Sequence, residues 1–215
     1  MENKYKTVLT IVLSIVVIAV LVLLCFLGVD VYKKFATKKA IAEVVGEYDT
    51  AVNETNTEEA NTEIPMLNED LVTNTTSGNA SKVTYKGYDV VGKIEIPKIS
   101  LNYPILDNPS ASAMELSVIL QYGPGPNKVG NTVIAGHNYR NGSFFGKNKK
   151  LQLGDKVYIT DNSGTRIQYN IYNIYETSPD DSDFYTRDTK GKREISLTTC
   201  TDNSKARLII WAVEE

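Results

Sequence analysis

Ser196-Leu197-Thr198-Thr199-Cys200, with Arg207 seven residues further on, sets a thiol and a guanidinium at the two ends of one short connection. Glu194 to Thr199 alternates Ile195 and Leu197 with polar neighbours and reads as a strand. Arg207-Leu208-Ile209-Ile210-Trp211-Ala212-Val213 reads as a second strand, joined to the first by the turn-forming run Thr201 to Ala206. If the two strands are neighbours, Cys200 and Arg207 meet at one edge of a sheet. A cation held beside a thiol favours the nucleophilic thiolate and stabilises an oxyanion forming on an acyl substrate. Such a site also needs a proton donor, and the chain contains one histidine. His137 ends the apolar run Thr132-Val133-Ile134-Ala135-Gly136 and precedes the loop Asn138 to Gly142, again at a strand end. It is the side chain whose ordinary titration lies nearest neutrality, and an amine leaving group would take its proton from there.

Each residue also has an ordinary meaning. A lone cysteine at a strand end is commonly a small buried hydrophobe. A lone histidine at a strand–loop junction is commonly an exposed polar group, and Arg140, Arg166, Arg187 and Arg193 are surface arginines by default. Thr199 has the β-propensity of any threonine. The chemical reading rests on the three residue types converging at strand ends.

The elements that must hold them read as short strands between turns. Candidate strands are Val90–Ile96, Leu101–Ile105, Asn131–Ala135, Lys156–Thr160, Gln168–Tyr175, Glu194–Thr199 and Arg207–Val213. Asp161-Asn162-Ser163-Gly164 is a hairpin signal, and short helical pieces are expected at Ser110–Leu120 and Phe144–Leu151. Short strands at regular spacing argue for a mostly β domain, a closed or nearly closed barrel.

Ahead of that domain the composition changes twice. Residues 1–7 are a short flank, and Val8–Val29 is 22 residues without a charge, enough to span a ~30 Å hydrocarbon layer as a helix. A cleaved signal has a shorter apolar core, about 7–15 residues, with small residues close behind it. Here the triplet Ala40-Ile41-Ala42 lies beyond four lysines, so residues 8–29 are read as an uncleaved transmembrane anchor. Those lysines, Lys33, Lys34, Lys38 and Lys39, would by the positive-inside rule keep the following domain in the cytoplasm. Residues 30–81 are read as a juxtamembrane and flexible acidic stalk, because Ala40 to Ser81 holds nine acidic residues and no Lys or Arg. Residues 82–215 are the catalytic domain, expected to fold without the stalk.

The net charge is −3, and from Lys82 onward 17 basic residues face 15 acidic ones. No basic face is concentrated enough for nucleic acid. Cys25 lies in the apolar run and is no disulfide partner for Cys200. One Cys and one His make no zinc site, and Asp180-Asp181-Ser182-Asp183 reads as a solvated loop. Gly123-Pro124-Gly125-Pro126 is a turn, since proline removes the donors a phosphate needs. Neither a metal nor another cofactor is expected.

Four segments together resemble one family. Ser196–Cys200 resembles the Thr-Leu-x-Thr-Cys signature of the sortases, with Ser in the first place, and Ala135-Gly136-His137-Asn138 resembles their histidine segment. Gly92-Lys93-Ile94-Glu95-Ile96-Pro97-Lys98-Ile99 and Tyr103-Pro104-Ile105 resemble the opening strands. The resemblance runs from Val90 to Val213. It implies a barrel of about eight strands with short helices, exposed outside a Gram-positive cell membrane. It further implies a cysteine transpeptidase acting on secreted proteins with a Leu-Pro-x-Thr-Gly-like C-terminal signal. In that reading Cys200 attacks the Thr–Gly carbonyl, His137 protonates the departing amine, Arg207 stabilises the oxyanion and positions the peptide, and Thr199 helps to hold the substrate or the oxyanion. A cell-wall precursor or a pilin lysine supplies the acceptor amine. The 63 residues from His137 to Cys200 leave little room for the long class B helix, and no Asp-Pro-aromatic lid precedes the barrel. A housekeeping or class D-like enzyme is the resulting expectation. The alternatives are a non-catalytic barrel that binds sorting signals and a hydrolytic thiol protease of the same fold.

Overall fold

The computed structural model describes residues 2–59 and 83–215. In chain order the elements are α1 (Glu2–Glu59), β1 (Thr84–Tyr85), β2 (Tyr88–Ile96), β3 (Leu101–Leu106), α2 (Ala111–Met114), β4 (Val118–Tyr122), β5 (Gly130–Ala135), β6 (Lys156–Asp161), β7 (Arg166–Thr177), β8 (Arg193–Cys200) and β9 (Arg207–Glu214). The chain divides into two units, Met1–Ala42 and Glu43–Glu215. The first is helical. Its stretch Val8–Val29 has a mean hydropathy of 3.4 and no side chain buried, which makes it long and apolar enough to cross a membrane.

The second unit is an eight-stranded mixed barrel. Hydrogen-bonded neighbours run β2-β3-β4-β5-β8-β9-β7-β6, and β6 pairs back with β2 to close the cylinder; β1 adds a short hairpin outside it. The β3–β4 and β5–β8 pairs are parallel, and the others are antiparallel. Closure leaves no long open edge among the eight strands. Ile94, Ile105, Ile119, Ile134, Ile159, Ile195, Leu197 and Ile210 are fully or almost fully buried. The expected Asp161–Gly164 hairpin joins β6 to β7, with Gly164 N–H donating to Asp161 O. Along β7, the register shifts between Ile171 and Asn173, the kind of bulge that lets a long strand follow a curved sheet.

Two expected helices are shorter than anticipated, and one conceals a strand. Ser110 caps α2 through its side chain, but the helix ends after one turn at Met114. Val118–Tyr122 is then strand β4, held between β3 and β5. Its run Val118-Ile119-Leu120 lies between two strands of the sheet, where a continuous apolar stretch carries no period to separate strand from helix. The expected helix at Phe144–Leu151 contains only the 3₁₀ turn Asn148–Lys150.

The larger difference lies in the segment expected to be a stalk. Residues 60–82, including the Ile64–Leu67 cluster, lie outside the described residues. Before them, α1 continues through Tyr48, and Val44, Val45, Tyr48 and Val52 form one buried stripe at helical spacing. Tyr48 is 1% exposed and donates its hydroxyl to Thr160 O at 3.2 Å, while Lys93 Nζ meets Asp49 Oδ1 at 2.5 Å. Lys93 and Thr160 are paired residues on β2 and β6, so the helix lies over the seam at which the barrel closes. Four apolar residues at the right spacing outweighed an acidic surrounding composition.

Tyr48→Ala is therefore expected to destabilise the barrel by about 3 kcal/mol, in the range found for removing a buried aromatic ring. That corresponds to a melting shift of roughly 6–12 °C for a unit of this size. The lone tryptophan, Trp211 on β9, reports the transition by fluorescence. A variant melting within 1–2 °C of the parent would show that this helix contributes no packing energy. A fragment starting at Lys82 loses the same stripe and is expected to melt lower than one starting at Glu43.

Candidate active site

The three residues singled out by type sit at one end of the β5–β8–β9 sheet. Strands β8 and β9 are antiparallel, with Cys200 opposite Arg207. Arg207 Nη1 lies 3.1 Å from Cys200 Sγ. The turn between them is closed by Thr201 N–H to Ala206 O at 2.9 Å, and Asn203 and Ser204 adopt positive φ within it. Side chains alternate along a strand, so Ser196, Thr198 and Cys200 share one face with Trp211, Ile209 and Arg207 opposite them. Val133, Phe184 and Ile209 form a buried cluster with Tyr175, Tyr185 and Trp211 packed against it. That cluster comes from β5, the β7–β8 connection and β9, and it lies on the face that carries Cys200 and Arg207.

On the other side of β8 runs β5, in parallel, with Ala135 beside Thr198. The chain beyond β5 is pinned to the end of β8 residue by residue. Gly136 N–H donates to Thr198 O at 3.2 Å, Thr199 Oγ1 to Gly136 O at 2.6 Å, and Asn138 Nδ2 to Cys200 O at 2.8 Å. His137 lies between these ties, and its carbonyl accepts Phe145 N–H at 3.0 Å. Gly136 has to be small, because a Cβ there would stand 2.9 Å from Val118 Cγ1 and 3.0 Å from Phe145 Cδ2. The histidine segment is thus fixed against the cysteine strand by backbone bonds and close packing.

Thr199 points the opposite way from Cys200. It is 5% exposed, and its hydroxyl proton is committed to Gly136 O. Contact with a bound peptide was the sequence expectation; the strand's alternation turns this side chain inward.

Glu115, which follows α2, was not anticipated. Its Oε1 lies 3.1 Å from His137 Nε2, with the side chains 61% and 30% exposed respectively. Nε2 has this ion-pair neighbour and no hydrogen-bond partner in the structure. Tyr139 stacks beside His137 with ring centroids 4.9 Å apart and donates its hydroxyl to Glu115 Oε2. Burial, then that hydrogen bond and the carboxylate's charge, push the Tyr139 phenol up to about 12, which keeps it a donor at neutral pH. A lone Glu 22 residues from the histidine gives no sequence signal; only the fold brings them together. Glu115 sets a carboxylate beside the ring nitrogen at which the sequence reading places proton transfer. Glu115→Gln is expected to slow cleavage about three- to tenfold, with a difference that shrinks in 1 M salt because the pair is partly exposed. Equal rates at low salt would remove Glu115 from the site.

A hollow of about 740 Å³ opens beside Cys200 between the Asn138–Lys150 loop and the β8–β9 turn. Among the described residues, no group of three or more His, Cys, Asp or Glu side chains is arranged to hold a metal ion.

A closed mixed barrel with Cys and Arg at the ends of adjacent strands, and His at the end of the parallel neighbour, defines a class of thiol site. Residues 94–215 match the sortase domain family, and the chain belongs to that family. It is 32% identical over 124 residues to sortase A of Bacillus anthracis, covering 56% of this chain and 58% of that protein. It is also 32% identical over 136 residues to sortase A of Streptococcus agalactiae, covering 57% and 52%. The chain thus aligns with little more than half the length of these relatives. Among solved structures, a Clostridium perfringens sortase D5 transpeptidase superposes with a TM-score of 0.58 at 25% identity, covering 83% of this chain and 97% of that one. Sortase A of Corynebacterium diphtheriae shares the fold, with a TM-score of 0.56 at 22% identity over 83% and 90%.

Proposed function

We propose that this chain is a membrane-anchored cysteine transpeptidase. It cleaves a Leu-Pro-x-Thr-Gly-like sorting signal between Thr and Gly and joins the acyl product to a cell-wall or pilin amine. The observation that carries the reading is the 3.1 Å approach of Arg207 Nη1 to Cys200 Sγ at the strand end beside His137. Cys200 Sγ attacks the carbonyl carbon, and Arg207 donates to the oxygen as it becomes an oxyanion. His137, with Glu115 beside it, gives a proton to the departing amine, leaving a thioester on Cys200. The acceptor amine then attacks that thioester and loses a proton to His137, and the thiolate leaves. Thr199 serves from beneath, fixing Gly136, and with it His137, against the cysteine strand.

Residues 8–29 are the anchor in this reading, with the barrel outside the cell. The match to the sortase domain supports that side of the membrane against the lysine-rich flank. We favour a housekeeping or class D-like enzyme, a choice supported by the sortase A relatives and by the coverage of the sortase D5 structure. The partners are then secreted proteins bearing the signal and an amine acceptor; no cofactor takes part. Product analysis of a sorting-signal peptide tests the reading. Ligated product in the presence of an amine is the expected result. Hydrolysed product alone at saturating amine would point to a thiol protease, and bound but uncleaved peptide to a binding module.

A further inference from the structure

Cys200 has two unlike neighbours. On one side stand β9 and Arg207; on the other stands the β5 end with His137 and Asn138. The 740 Å³ hollow opens beside the thiol between the Asn138–Lys150 loop and the β8–β9 turn; Asn138, the residue after His137, lines it, and neither Arg207 nor His137 does. In the reading above the acceptor amine gives its proton to His137, and an acceptor held in this hollow reaches Cys200 past Asn138, next to that histidine.

The described lining is basic. Arg140, Lys147, Lys149 and Lys150 border the hollow, and none of its described lining side chains is acidic. Lys147 Nζ donates to the neutral carbonyl of Ile99 at 3.3 Å, so that contact leaves its charge uncompensated. The loop carrying these cations is held in place. Gly142 N–H bonds to Tyr139 O, Gly146 N–H to Ser143 O and Lys150 N–H to Lys147 O. At Gly146 a Cβ would fall 2.3 Å from Tyr139 O, so this bend admits no side chain. Arg140, Lys147 and Lys150 on a fixed concave wall make a positive potential that concentrates anions at the mouth. A plain lysine side chain on a protein surface gains nothing there, and its own positive charge is repelled.

Building on the transpeptidase reading, we infer that the hollow is the acceptor subsite and that it selects amines carrying an anionic group, carboxylate or phosphate. The amine attacks the thioester carbonyl of the acylated Cys200, the C–S bond breaks, and the amine's proton goes to His137. The anion remains on the basic wall and takes no part in the bond exchange.

The test uses the full chain in detergent micelles, a sorting-signal peptide as donor, and acceptors that differ only in charge. Nα-acetyl-lysine with a free carboxylate is compared with its carboxamide, and 6-aminohexyl phosphate with 6-aminohexanol; within each pair the anion is remote from the amine. At low salt the anionic partner of at least one pair is expected to show an apparent KM about tenfold lower, and the pair that responds identifies the anion. In 0.5 M salt the ratio should fall toward one, as screening requires. Lys150→Glu with Arg140→Glu is expected to reverse the preference, and Lys150→Gln with Arg140→Gln to abolish it; the neutral pair serves if charge reversal impairs folding. Equal KM values within both pairs, or a preference indifferent to these substitutions, would overturn the assignment. So would discrimination seen only for donors with acidic residues after the scissile bond, which would give the hollow to the departing peptide. Thioacyl-enzyme formation without amine is measured on the same samples by intact mass. If it forms and the acceptors are not distinguished, only the subsite is wrong; if it never forms, the transpeptidase reading falls with it.

Discussion

Cys200→Ala is expected to yield no thioacyl-enzyme and to lower turnover of a sorting-signal peptide by at least about 10⁴, because the nucleophile itself is gone. The fold should be unaffected. Cys200 is partly exposed at the end of β8 and has one side-chain partner, Arg207, so losing a sulfur there costs under ~1 kcal/mol. Melting curves and intact mass on the same preparation separate the two effects. Cys25→Ala is the matched control, since that thiol lies within the apolar helix. Equal cleavage by parent and Cys200→Ala would remove the thiol from the chemistry. Parallel losses of activity and of the folding transition would mean that Cys200 is a packing residue.

Arg207→Ala is expected to reduce the rate by 10²–10³, about 3–4 kcal/mol, the usual size of one lost oxyanion donor. Arg207→Lys distinguishes how the charge acts. Lysine keeps the positive charge but replaces a rigid planar fork with a single flexible head. If Arg207 donates to the developing oxyanion from a fixed position, Lys should be nearly as damaging as Ala. If it acts on the thiol only through its field, Lys should recover much of the rate. The geometry favours the first outcome, because the guanidinium is placed by the strand pairing of Cys200 with Arg207 and touches Sγ with one of its nitrogens. Arg166→Ala is a suitable control. Arg166 is exposed, pairs with Glu95 at 3.0 Å and stacks over Tyr158 on the far hairpin. A healthy Arg207→Ala would redirect the search to Arg140, the arginine lining the hollow beside Cys200.

Much of the site was legible in one dimension because its geometry is local. Cys200 and Arg207 end and begin consecutive strands, and two antiparallel strands joined by a short turn must bring those residues together. His137 was legible for a different reason: it is the only histidine, and it ends an apolar run. The long apolar helix could be read because crossing a membrane sets a length and a composition that few other segments meet. The seven strands found are short runs of strand-forming residues bounded by turn signals, and β5 and β8 among them are buried on both faces. Strand β4 was missed because its continuous apolar run has no period, and only the adjacent β3 and β5 show that it is extended.

What remained was decided by contacts between residues far apart in the chain. The parallel β5–β8 pairing brings His137 to the cysteine, 63 residues away, and nothing local to either strand specifies that partner. Glu115 reaches His137, and the Asn138–Lys150 loop sets basic side chains along one wall of the hollow beside Cys200, only after the barrel has closed. Thr199 was recognisable as part of a motif, and the alternation of Ile195 and Leu197 puts it on their face of β8, but that this face is the interior, with Gly136 O to receive the hydroxyl, is set by the closed sheet. The docking of Tyr48 on the β2–β6 seam is the same kind of fact. Composition averages over a segment, whereas a helix needs only one apolar stripe and a surface to receive it, and that surface exists only in the folded barrel.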